Sequence, residues 1–189
     1  MASLILRFHD VTDGAIELNG TDIRNMPQKF LRDHLDYVQQ KAWLFSGTIA
    51  ENLRYSRPDA AEEELMHAAD VALAGDFIRS LPDGLNSFVA QGGVNFSGGQ
   101  KQRLSIARAL VKRPELYIFD DSFSALDFKT DAALRRALAA ETKDAAVLII
   151  AQRVSSIRHA DQIVVLHEGH RTLLEKKGAY AALYDCQFE

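Results

Sequence analysis

With a single cysteine, Cys186, this sequence cannot form an internal disulfide, which suits a reducing compartment and gives the residue a structural role. Long apolar runs are missing as well. The longest, Ala145 to Ala151, falls far short of the ~20 residues a membrane helix needs, and the apolar stretch after Met1 is too short for a signal-peptide core. Positive charge is not in excess: 22 Lys and Arg face 26 Asp and Glu, a net charge of −4 that argues against a nucleic-acid surface. The six histidines (His9, His34, His67, His159, His167 and His170) show no metal-ligand spacing. No internal repeat or low-complexity tract is present. What remains, 47% hydrophobic and 25% charged over 189 residues, can bury a proper core and suits one globular domain with a subdomain.

The richest stretch runs from Asn95 to Asp127. Ser97 can cap a helix whose first amides lie at Gly98 and Gly99, so unpaired N–H groups and the positive end of the helix dipole face one way and make an anion site. The predicted helix carries Leu104, Ala107, Leu110 and Val111 on one face, with Lys101, Arg103, Arg108, Lys112 and Arg113 on the other, and Pro114 stops it. Leu116 to Phe119 is apolar at every position, as in a parallel strand buried on both faces. It delivers Asp120 and Asp121 at its carboxyl end, where open α/β sheets place their ligands.

Elsewhere the pattern predicts a helix over Ala2 to Phe8, a turn at Asp13-Gly14 and an alternating strand to Gly20. A helix over Pro27 to Leu35 and a strand over Asp36 to Gln40 follow. Residues 59–80 read as helical, with Glu62, Glu63 and Glu64 in a first turn and Leu81-Pro82-Asp83-Gly84 as the stop. Beyond Asp127, an alanine-rich helix over Thr130 to Ala140 leads to a second fully buried strand, Ala146 to Ala151, and then to a strand from Ile163.

The Asn95 to Asp127 residues resemble the ATP-binding cassette (ABC) proteins. Phe96-Ser97-Gly98-Gly99-Gln100 is similar to their signature motif, Leu116 to Asp120 to their Walker B strand, and Ser124-Ala125-Leu126-Asp127 to their D-loop. Tyr37 to Asn52 resembles the Q-loop of ABC exporters, with Gln39 in place of the usual proline. The resemblance implies an α/β fold: a P-loop NTPase (RecA-like) ABC ATPase core with a helical subdomain, incomplete at the N-terminus. Its divisions are 1–40 for the first part of the core, 41–95 for the Q-loop and helical subdomain, 96–169 for the rest of the core, and 170–189 for a helical tail. The Walker A loop would fall immediately before Met1. A strand that the family pairs with the one ending near Gly169 is expected to be deleted here. Lys176-Lys177-Gly178 then leads to a final helix over Ala179 to Phe188.

The same resemblance implies ATP and Mg2+ as cofactors, Asp120 and Gln40 as metal ligands, and Phe96, Ser97, Gly98, Gly99, Gln100, Ser124, Asp127 and Gln40 as nucleotide contacts. Asp121 and Gln152 occupy the catalytic positions, where competent family members carry a glutamate and a histidine. That pairing resembles the degenerate half of heterodimeric exporters. It implies a second ABC subunit whose ATP the signature serves, and a transmembrane domain docked on Leu44 to Asn52 at the cytoplasmic face of a membrane. It implies no nucleic-acid partner. For these 189 residues alone, the expectation is weak ATP binding and no ATPase activity. The other readings are a non-catalytic remnant of such a subunit, or a soluble ABC ATPase acting on DNA or ribosomes.

Overall fold

The computed structural model describes residues 1–153, 156, 157, 160–167 and 170–172, in two compact units, Met1–Leu148 and Ile149–Glu189. The first unit begins with a short helix, α1 (Ala2–Ile5), which ends sooner than its apolar spacing predicts because Arg7 turns left-handed at φ 53°. The Arg7 guanidinium there donates to the Ile23 and Met26 carbonyls. Strands β1 (Glu17–Leu18) and β2 (Thr21–Asp22) pair antiparallel across Asn19-Gly20, whose positive φ values of 50° and 75° are what a two-residue hairpin turn demands. Next come α2 (Gln28–Asp33), with Pro27 at its N-cap, and β3 (Leu35–Val38).

A second layer follows: β4 (Gly47–Thr48), α3 (Ile49–Leu53), α4 (Glu62–Val71), α5 (Gly75–Ser80) and β5 (Phe88–Val89), with β4 and β5 antiparallel. The helical stretch predicted over 59–80 breaks in two at Leu73, which is left-handed at φ 55°. Its carbonyl accepts a 2.7 Å hydrogen bond from Arg103, and the flanking Ala72 and Ala74 are fully buried, so tertiary contacts hold the break.

Helix α6 (Gly98–Lys112) runs through the middle of the unit and ends at Arg113, left-handed at φ 54°. The expected division into an apolar and a charged face does not hold. Gln102, Leu104, Ser105, Ile106, Ala107, Ala109, Leu110 and Val111 are all buried, and of the cations on the supposed outer face Arg103, Arg108 and Lys112 are used inward, whereas Arg113 stays exposed beside Glu64. Arg103 lies over the Phe77 ring, and Lys112 donates to the carbonyls of Arg32 and Leu35. A central helix needs neighbours on all sides, and long side chains can bury their stems while their heads find carbonyls.

Strand β6 (Leu116–Asp120) pairs parallel with β3 in the register Leu35↔Leu116 to Val38↔Phe119. Tyr117, Ile118 and Phe119 are buried, as the unbroken apolar run requires; each such side chain contributes about 1.5–3 kcal/mol. After α7 (Phe128–Glu141), β7 (Ala146–Ile150) completes the order β3-β6-β7. It is not the fully buried strand its composition suggests: Ala146 and Val147 are exposed and Leu148 to Ile150 only half-buried, as befits the outer strand of a three-stranded sheet.

In the second unit, β8 (Val165–His167) and β9 (His170–Thr172) pair antiparallel, with Val165 opposite Thr172 and His167 opposite His170. The partner strand expected to be deleted is therefore present, because Arg171-Thr172 serves as strand rather than as the start of a helical tail. The final helix predicted over Ala179 to Phe188, with Cys186, lies outside the described residues.

Candidate functional site

The carboxyl ends of β3 and β6 lie side by side, and four side chains converge there. The Tyr37 hydroxyl donates to Asp120 Oδ2 at 2.7 Å, and Gln40 Nε2 donates to Asp121 Oδ2 at 2.8 Å. Burial, and then the bond to Asp120, push the Tyr37 phenol up to about 12, so it stays a donor across the working pH range. Behind them the fully buried Ser122 donates from Oγ to the Val38 carbonyl at 2.6 Å, tying the two strand ends together. Asp121 is left-handed at φ 46°, a region that aspartate enters more readily than most residues.

A different set gathers at the start of α6. Ser97 and Gln100 form a reciprocal cap: Ser97 Oγ accepts from the Gln100 N–H at 3.3 Å, and Gln100 Oε1 accepts from the Ser97 N–H at 2.9 Å. The Ser97 O–H keeps its proton to donate, and the Gly98 and Gly99 amides are the next two donors of the exposed helix end. A side chain at Gly98 would meet nothing within 4 Å, whereas one at Gly99 would come to 3.7 Å from Leu126. The loop from Ser124 to Asp127 thus lies against this helix start. Ser124 Oγ donates to the Asp121 carbonyl at 2.7 Å, and Asp127 caps α7 by accepting from the Thr130 N–H and hydroxyl. Those Thr130 bonds, the hydroxyl first, hold the Asp127 carboxyl below its ordinary value.

Residues 39–55 are tied together from inside. Asn52, buried to 3% exposure, accepts from the Phe45 N–H at 2.8 Å and donates to the carbonyls of Phe45 and Thr48 at 2.9 and 3.0 Å. Thr48 and Glu51 cap α3 reciprocally. From α6, the buried Gln102 donates to the Gln39 carbonyl and Arg108 to the Trp43 carbonyl, each at 3.1 Å. Desolvation lowers the Arg108 pKa, and its guanidinium also lies over the Phe45 ring, which stacks on Tyr55 at 4.6 Å. Gly92, left-handed at φ 70°, donates its N–H to the Leu44 carbonyl and leaves room for the Trp43 ring. Trp43, Phe45, Tyr55 and Phe88 stand exposed on this side.

Of the residues singled out by sequence, Gln40, Asp120 and Asp121 come together, as do Ser97 to Gln100 with the Ser124 to Asp127 loop. Phe96 is half-buried with its ring 6.3 Å from that of Phe77. Gln152 belongs to the second unit, exposed in a bend after β7. Among the described residues no three His, Cys, Asp or Glu side chains form a metal cage. No donor among the described residues reaches Asp120 Oδ1 or Gln40 Oε1, and two hard oxygens suit a magnesium ion that takes its other ligands from phosphate and water. Gln102, Asn52 and Ser122 were not legible as site residues. Gln102 did carry a signal, since it shares helical spacing with the buried Ile106 and Ala109; the other two carried none.

The ABC transporter family model matches residues 1–124. An uncharacterised ABC transporter ATP-binding protein of Mycobacterium bovis is 46% identical over 191 residues, covering 96% of this chain and 32% of the relative. A Staphylococcus aureus protein named for multidrug export as an ATP-binding/permease protein is 44% identical over 194 residues, covering 99% of this chain and 34% of its own length. Among solved structures, a bacterial Atm1-family ABC exporter with ATP bound superposes with a TM-score of 0.94 at 36% identity, covering all of this chain and 34% of that one. The chain thus spans about a third of the length of these relatives. Its fold is the ABC ATPase fold. With two thirds of its residues matched by the family model, and an exporter structure superposing over its whole length, the chain belongs to the ABC transporter family as its ATP-binding domain.

Proposed function

We propose that this chain is the ATP-binding cassette of an exporter, paired with a second, non-identical cassette at the cytoplasmic face of a membrane. Its own site holds ATP and turns it over slowly, while the start of α6 completes the partner's site. The relatives named for export and the ATP-bound exporter structure support the transport role. No described helix is long and apolar enough to cross a membrane. The exposed aromatic side chains Trp43, Phe45, Tyr55 and Phe88 support a surface that docks on a transmembrane domain.

In the chain's own site, Asp120 and Gln40 would hold Mg2+, which neutralises phosphate charge when bound. The observation that carries the slow-turnover reading is the 2.8 Å hydrogen bond from Gln40 to Asp121. Asp121 sits where a water-orienting base belongs, yet one of its oxygens is occupied by that amide. Its side chain is also shorter than glutamate by about 1.5 Å, enough to cost on the order of a hundredfold in positioning. At the other end, the Ser97 hydroxyl and the Gly98 and Gly99 amides give donors with no acidic neighbour in the first turn, the arrangement a phosphate of another subunit requires.

The test uses the protein from the complete reading frame, co-expressed with its partner cassette. Ser97→Arg should abolish the pair's ATPase, because it places a bulky cation over the helix start; retained activity overturns the trans role. Asp121→Asn should leave turnover within about threefold, and a collapse in rate would show Asp121 working as a base.

A further inference from the structure

Tyr37 opens the Q-loop stretch without a role of its own in it, yet its hydroxyl reaches the side chain assigned to the metal. On β3, Tyr37 stands opposite Ile118 of β6, and Asp120 follows two residues later on the same strand. The contact is 2.7 Å, between two half-buried residues, and it engages Oδ2 alone. The strands cannot slide past each other beneath it, since the Ser122 hydroxyl bonds the Val38 carbonyl at 2.6 Å from a fully buried position. A carboxylate at a strand end can otherwise rotate about its last bond and offer a cation either oxygen or both. With Oδ2 held by the Tyr37 hydroxyl, Oδ1 is the oxygen left to turn toward the nucleotide.

We infer that Tyr37 is a positioning residue for the metal carboxylate: its hydroxyl fixes Asp120 through Oδ2 so that Oδ1 alone is presented to a nucleotide-bound divalent cation. The inference rests on the reading of Asp120 as the metal carboxylate given above. Partners of metal ligands at this remove typically set 10- to 100-fold in metal affinity.

The experiment titrates Mn2+ into the protein from the complete reading frame at saturating ADP, counting free Mn2+ by electron paramagnetic resonance. Tyr37→Phe, which removes one oxygen and keeps the ring, should weaken Mn2+ at least about tenfold. Its melting temperature and its affinity for nucleotide in EDTA should stay at the wild-type values. Asp120→Asn is the control for the underlying reading: unchanged Mn2+ affinity in that variant overturns the metal assignment itself. If Asp120→Asn weakens Mn2+ but Tyr37→Phe changes it less than threefold, or tightens it, the positioning role is overturned and the assignment stands. Loss of EDTA-resistant nucleotide binding or of the folded baseline in Tyr37→Phe would likewise sink the inference, by showing a structural role. In the double variant, Tyr37→Phe should add nothing to the effect of Asp120→Asn.

Discussion

Replacing Asn52 by alanine should loosen the whole segment that follows the Q-loop glutamine. The amide makes three hydrogen bonds from a buried position: it accepts from the Phe45 N–H and donates to the carbonyls of Phe45 and Thr48, all between 2.8 and 3.0 Å. Truncation strands one donor and two acceptors at a net cost near 1 kcal/mol apiece. Phe45 is partly exposed, and its backbone can regain some hydration, so the expected loss is about 2–3 kcal/mol. For a chain of this size that corresponds to roughly 5–10 °C in melting temperature. Asn52→Asp should be worse than Asn52→Ala, since it keeps the acceptor for Phe45 but turns a carboxylate oxygen toward two carbonyls in a buried site. Thermal melts of the three proteins, with hydrogen exchange at the Phe45 amide as the local readout, decide the matter. An alanine variant within 0.5 kcal/mol of wild type, or an aspartate variant milder than alanine, refutes the reasoning.

Two further outcomes follow from local geometry. Gly92→Ala combines a left-handed φ of 70° with a Cβ that would lie 3.2 Å from the Trp43 ring, so it should cost about 1–2 kcal/mol and shift the emission of Trp43, the chain's single tryptophan; unchanged emission and stability would contradict the close approach. Asp127 ionises more readily folded than unfolded, so its contribution is full above the ordinary carboxylate value of 3.8 and fades as pH falls through the lower folded value. Asp127→Ala should therefore lower the melting temperature at pH 7 and lower it less at pH 3, and a deficit that grows on acidification would count against the cap.

The parts of this molecule that sequence revealed are those where one residue type has one job. Four apolar residues in a row at 116–119 can hardly be anything but a buried strand, and a serine before two glycines at 97–99 is a helix start; both are found. Fold class and family followed from the order of such pieces. Missed were residues whose role depends on what lies opposite them. Asn52 and Ser122 have the composition of a surface and the burial of a core, because their partners are main-chain groups 4 to 84 positions away. The charged side of α6 misled for the same reason: periodicity marks what is apolar, and it cannot tell a solvated cation from one capping carbonyls inside the fold. The lost strand after Gly169 was an error of length, since three residues suffice for a hairpin arm where the family pattern suggested more.

Helix α6 spans about 22 Å, and it is braced to one short loop at two points, Gln102 to Gln39 and Arg108 to Trp43. Gln40 lies between those braces. The loop is therefore tied to the helix on both sides of the residue that faces Asp121. A displacement of the helix that carries Ser97 would load these two bonds first, and through them the amide facing Asp121 on one side and the backbone of Trp43 on the other.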